Sequence, residues 1–148
     1  MTANETVTKG LQATLVELVD LSLLGKQAHW NVTGMHFRSV HLELDEIVDF
    51  ARLAGDRVAE RLVTVGASAD GRAETVSSTS ELAPFPAGFV DSSETVRLVS
   101  EAMDTIAGRM RKRIARIGDA DPVSQDILIG TLDELEKAAW MLRAQLAS

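Results

Sequence analysis

Apolar residues recur along this chain at intervals of three and four, the spacing that lines one face of an α-helix. Four long stripes can be traced. The first holds Leu11, Leu15, Leu18, Leu21, Gly25 and Ala28 and stops near Asn31–Gly34, a pair that favours a turn. The second runs from Phe37 to Gly66 through Val40, Leu44, Ile47, Ala51, Ala54, Val58, Leu62 and Val65, with Gly66 placed as a C-terminal cap. The third starts at Asp91, which with Glu94 has the spacing of a capping box, and continues through Val96, Val99, Met103, Ile106, Met110 and Ile114. The fourth takes Asp121 as N-cap and Pro122 at its first position, then Leu128, Leu132, Leu135, Ala139, Leu142 and Leu146.

Between the second and third stripes lies a connection from Ala67 to Val90, rich in Ser, Gly and Pro. It is too long for a hairpin between antiparallel neighbours, which takes about 2–8 residues. An all-α, four-helix bundle with one long crossover accommodates it, and Ser80–Leu82 is the candidate for a short helix inside that crossover. The length fits one domain over residues 1–148.

Composition narrows the chemistry. The chain is 45% hydrophobic and 25% charged, with 4% aromatic residues and no tyrosine, which favours a folded helical domain over a β-sandwich or a disordered chain. A net charge of −7 repels nucleic-acid phosphate and attracts cations. The absence of cysteine removes disulfides and thiolate metal sites, so any metal chemistry rests on carboxylates and the three histidines. The start, MTANETVTKG, has no apolar signal core, and no run approaches the ~20 apolar residues of a membrane span. A soluble, cytoplasmic protein is expected.

The second helix carries the informative residues. His41 and Asp45 are four apart, as are Asp56 and Glu60, and at 100° per residue all four fall within an arc of about 100°. Asp45 and Asp56 are separated by about 16 Å of helix, so one metal cannot use both within a chain. A second copy solves this. His41 with Glu60, and Asp45 with Asp56, lie symmetrically about the midpoint of residues 50 and 51. An antiparallel copy crossing there sets His41 near Glu60 of its mate and Asp45 near Asp56 of its mate, giving two equivalent sites about a two-fold axis. His29 can reach the same site from the end of the first helix. This crossing also pairs Asp49 with Arg52 and Val48 with Leu53 between copies, with Ala51, Ala54 and Gly55 small enough for close approach. Mixed imidazole and carboxylate ligands suit iron, manganese or zinc. A site inside one bundle would need Glu-x-x-His, but Lys26, Thr33 and Arg38 precede His29, His36 and His41 by three.

The segments KQAHWNVTG, FRSVHLELD and DRVAER, with DPVSQDILIGTLDELEKAAW in the fourth helix, resemble the ferroxidase signature of the DNA-protection-during-starvation family, the Dps mini-ferritins. The resemblance covers nearly the whole chain and implies a ferritin-like fold. It implies a hollow homododecamer that oxidises Fe2+ to Fe3+ with hydrogen peroxide, stores the ferric mineral and so protects against oxidative stress. Matched position by position, it assigns His29, His41 and Asp45 of one subunit, with Asp56 and Glu60 of its two-fold mate, as catalytic and metal-binding.

DNA binding is the departure. Family members that hold DNA tightly extend a lysine-rich tail, whereas here only Lys9 precedes the first helix and Ser148 closely follows the last. No stable duplex complex is expected at physiological salt. The one dense basic run, Arg109 to Arg116, reads as a solvated face or a source of salt bridges, with a phosphate site as the minor reading. Two alternative functions are a nucleoid-binding protein acting through Arg109–Arg116, and a hydrolase of amides or esters using a Lewis-acid metal at the same five residues. Asp119, Asp121 and Asp126 are candidates for lining a cation pore, although capping alone explains Asp121. Trp30 belongs either beside the metals, where the resemblance implies that it can be oxidised, or in the core. Trp140 is assigned to the core, and His36 to no role.

Overall fold

The computed structural model describes residues 3–146; residues 1–2 and 147–148, counted in the expected domain, lie outside the described residues. Four long helices form the bundle: α1 (Ala3–Asn31), α2 (Phe37–Thr64), α4 (Ser92–Ile117) and α5 (Pro122–Arg143). A short helix, α3 (Ala73–Thr79), rides on the crossover. It stands just before the expected Ser80–Leu82. Ser80 instead ends it, extended at φ −67°, ψ 134°, with its hydroxyl turned to Asp20 on α1. Among the described residues no helix is long and apolar enough to cross a membrane.

The stripes become the core. Leu11, Leu18 and Leu21 of α1 meet Leu44, Ile47 and Leu62 of α2, Met103, Ile106 and Met110 of α4, and Leu128 and Leu135 of α5, all essentially without solvent contact. Each such side chain contributes roughly 1.5–3 kcal/mol by leaving water, offset by the entropy of ordering the chain. Three members fall outside. Leu146, in the short turn after α5, is exposed, and Val65 and Ile114 are half-buried at the edge of the core. Trp140 is 61% exposed, so its assignment to the core is wrong: it lies on the solvent side of α5, one residue beyond the buried Ala139.

Small residues set the approach of α1 to α2. A Cβ added to Gly25 would stand 3.0 Å from Val48 Cγ2, and one on Gly55 would touch Leu15 and Leu18. Val48, Ala51, Ala54 and Gly55 are all buried within the chain. They therefore pack inside the bundle and are not the surface offered to another copy. Val48 falls on the core side of the ligand arc, so its expected pairing with Leu53 of a second copy is not available.

The helix ends show which capping signals acted. Gly66 follows α2 at φ 95°, a left-handed conformation that other residues adopt only with strain. Asp91 caps α4 by accepting the Ser93 amide at 2.9 Å. Glu94 does not complete the box, because its carboxylate is taken by Arg97 one turn on. Asp121 precedes Pro122 as expected, but its carboxylate accepts two hydrogen bonds from Arg61, at 2.8 and 2.9 Å, and one from Ser124 Oγ.

The crossover leaves the end of α2 and finishes at the opposite end of that helix, beside the turn between α1 and α2. Val32–Thr33, after α1, pairs in parallel with Val90–Asp91, before α4. Between them Gly34 turns at φ 105°, and a Cβ there would lie 2.5 Å from Asp91 Oδ1. Only glycine fits this turn, which aims the start of α2 back along α1.

Candidate metal centre

That turn brings the end of α1 against the start of α2, and two histidines lock it. His29 Nδ1 lies 2.6 Å from the carbonyl oxygen of His41, and His41 Nδ1 lies 2.7 Å from the carbonyl oxygen of His29. A carbonyl only accepts, so both Nδ1 atoms carry their protons and donate, and each Nε2 is left with a free lone pair. The rings stack at 3.8 Å and 14°, and Phe37 flanks His41 at 5.0 Å. This is the arrangement by which a protein fixes the tautomer and direction of an imidazole ligand before the metal arrives.

Asp45, one turn beyond His41, lies 3.7 Å from His29 Nε2 through its Oδ1. The same oxygen accepts from Lys26 Nζ at 2.5 Å. The Lys26 bond holds the Asp45 carboxyl below its ordinary value, against an opposing desolvation and with help from the neighbouring histidines. Lys26 was not among the expected site residues. Its signal was present, since it precedes His29 by three and so shares that face of α1.

Asp56 and Glu60 lie in the other half of α2. Both are exposed on the arc that holds His41 and Asp45, and among the described residues neither carboxylate has an ion pair or a hydrogen bond. Asp49 and Arg52 are likewise exposed and unpaired. Leu42, Leu53 and Val63, 48–70% exposed, fall on or beside the same arc, so acidic and apolar groups share one outward face. Among the described residues no three His, Asp or Glu side chains of a single chain are gathered closely enough to hold an ion. The structure thus stacks His29 on His41, sets Asp45 near His29 alone, and does not bring Asp56 or Glu60 to them.

Other candidates divide. Trp30 is 65% exposed beside His29, which excludes it from the core. His36 is exposed before α2, its backbone amide meeting Ser92 Oγ. Asp121, bound to Arg61, is not free for a pore; Asp119 and Asp126 remain exposed. Desolvation pushes the Asp121 carboxyl up, but its bonds from Ser124 and Arg61 outweigh this and hold it low. Within the basic run, Arg109 and Arg113 bind Glu17, and Arg111 binds Glu136. Lys9, expected ahead of the first helix, lies within α1.

Comparison with known proteins agrees with this fold. Residues 8–148 match the family model of the ferritin-like domain. The chain is 34% identical over 145 residues to the DNA protection during starvation protein of Agrobacterium fabrum, covering 97% of this chain and 90% of that one. It is 36% identical over 138 residues to DNA protection during starvation protein 2 of Deinococcus radiodurans; the match takes in 93% of this chain but spans only 57% of that longer relative. The solved Dps of Microbacterium arborescens, in its high iron form, superposes with a TM-score of 0.94 at 30% identity, covering 99% of this chain and 95% of that one. With the stacked histidines, the long crossover and a match over nearly all its length, this chain belongs to the Dps family of ferritin-like proteins.

Proposed function

We propose that this protein oxidises Fe(II) at sites formed between two antiparallel copies of α2 and stores the ferric product inside a hollow homododecamer. Each site takes His29, His41 and Asp45 from one copy and Asp56 and Glu60 from the other. The observation that carries the reading is the division of α2 into one finished half-site and one bare pair of carboxylates. An exposed, unpartnered pair on a face shared with apolar side chains suits a surface that another copy covers. The relative from Microbacterium arborescens, solved in a high iron form, supports iron as the substrate.

The chemistry follows from the residues. Two imidazole Nε2 atoms and three carboxylates place up to three negative charges around Fe(II), which favours the Fe(III) product over the substrate. Lys26 occupies Asp45 until iron arrives, so the site's own cation is exchanged for the incoming one. With hydrogen peroxide as acceptor, two Fe(II) each give one electron, the O–O bond breaks, and two protons are taken up to release two waters. Using both electrons at one site avoids the hydroxyl radical that a lone Fe(II) would release.

The basic run gives no support to a nucleoid-binding role, since three of its arginines are engaged within the chain. Protection without a stable duplex complex is the reading that suits a net charge of −7. The test is an anaerobic Fe(II) titration followed by limiting peroxide. Two irons oxidised per peroxide, without radical adducts on a spin trap, are expected. One iron per peroxide with trapped radical would overturn the paired-site reading.

A further inference from the structure

Away from the candidate metal centre, the crossover roofs a second feature. Between the first half of α1, the end of α2 and α4 lies an open pocket of about 550 Å³, within the range of small-molecule sites. Its apolar wall comes from Ala13, Val16, Leu62 and Ala67. The roof is fastened to α1 by a reciprocal amide pair: Gln12 Nε2 donates to the Asp70 carbonyl at 2.8 Å, and the Asp70 amide donates to Gln12 Oε1 at 3.0 Å. The Asp70 carboxylate faces Arg72 and Thr75 and is held well below the usual carboxylate range by them.

At one end sits an unusual charge arrangement. Glu17 is only 4% exposed and takes two arginines. Arg113 donates to both its oxygens, at 2.5 and 2.9 Å, and also to Thr14. Arg109 donates to Glu17 Oε1 at 3.0 Å through one Nη, while its other Nη lies 3.2 Å from Glu81 Oε2. Glu81 is 79% exposed in its side chain, so its hold on Arg109 is weak and easily surrendered to water. Lys9, at the same pocket, is exposed and has no carboxylate partner among the described residues. Arg113 is used up on buried partners. Arg109 has one nitrogen anchored and one facing a replaceable carboxylate.

We propose that the pocket binds an aliphatic carboxylate. Its head group replaces Glu81 on Arg109 and draws on Lys9, and its chain lies along Val16, Leu62 and Ala67. The planar guanidinium edge matches a carboxylate. Apolar walls disfavour a strongly hydrated phosphate dianion, which they cannot solvate. Glu81 is then an internal stand-in for the ligand head group.

Octanoate, octanol and inorganic phosphate, titrated calorimetrically into the full-length assembled protein, test this, with methyl NMR of Val16 and Leu62 locating the binding. Octanoate is expected to saturate one site per chain and shift those methyls, with octanol and phosphate each far weaker. Arg109→Gln should weaken octanoate by about ten- to a hundredfold, the loss of a charged hydrogen bond. Glu81→Gln should tighten it by about two- to fivefold by removing the competitor. Iron oxidation should be unchanged in both variants, which separates this site from the metal centre. Octanol or phosphate binding as well as octanoate, or no binding at all, overturns the proposal. Should Arg109→Gln fail to fold, unchanged affinity in Glu81→Gln overturns it alone.

Discussion

At the start of α2, His41 and Asp45 are held by groups from α1: a backbone carbonyl, a stacked ring and the Lys26 ammonium. At its other end, Asp56 and Glu60 project from the same helix with no partner for either carboxylate among the described residues. The first region is organised by the fold of one chain; the second carries ligand chemistry with nothing to act on. Exposed carboxylates without partners add little stability, so the fold should not depend on them; under the proposed function a second copy gives them their use. The finished half-site is coupled to the core through the α1–α2 seam.

That contrast predicts where mutations divide. The double variant Asp56→Ala, Glu60→Ala should lower the rate of Fe(II) oxidation by roughly a hundredfold or more, the scale of losing several kcal/mol of charge stabilisation. Its unfolding free energy should stay within about 0.5 kcal/mol of wild type, as surface changes do. Stopped-flow absorbance and denaturant titration measure the two; a large stability loss would erase the distinction between the halves. Gly25→Ala acts oppositely. Its methyl would press on Val48 Cγ2 at 3.0 Å and cost about 1–3 kcal/mol of stability, with a smaller effect on rate as His29 shifts from His41. Thermal unfolding checks it, and a neutral result would mean that the seam yields.

How much of this could be read beforehand differs between the same two regions. The core stripes were legible from spacing, down to Leu18, Leu44, Met103 and Leu135, because burial follows helical period directly. The five candidate ligands were legible as residue types at matched positions. The Lys26 bond and the reciprocal histidine lock were not, since both depend on how α1 and α2 are rotated against each other. Trp140 lies off the apolar stripe of α5, one position past the buried Ala139, so the helical period places it outside the core. Ala51, Ala54 and Gly55 misled because small residues favour close approach without saying by which neighbour.

Smaller effects sharpen the proposed contact between copies. Asp49→Arg should weaken association and iron oxidation together, and adding Arg52→Asp should recover part of both, each pair being worth ~0.2–1 kcal/mol. Analytical ultracentrifugation beside the oxidation assay reads this; loss of one property without the other would break the register. Lys26→Met should have the mildest consequence. The Asp45 carboxyl is lowered from 3.8, so the link contributes in full above that value and is lost as pH falls through the lowered one. The stability gap between wild type and Lys26→Met should therefore be constant near neutrality and close in acid. A gap that widens in acid would place the Lys26 interaction elsewhere.

The central claim is that each site is completed by a second copy, and complementation tests it directly. One inactive variant carries His41→Ala with Asp45→Ala, the other Asp56→Ala with Glu60→Ala. Mixed pairs assemble one site lacking all four side chains and one with every ligand intact. Unfolded together and reassembled in equal amounts, the two dead proteins should recover about a quarter of wild-type Fe(II) oxidation, as random pairing about a two-fold axis dictates. A reassembled mixture that is no more active than its parents would contradict the shared site.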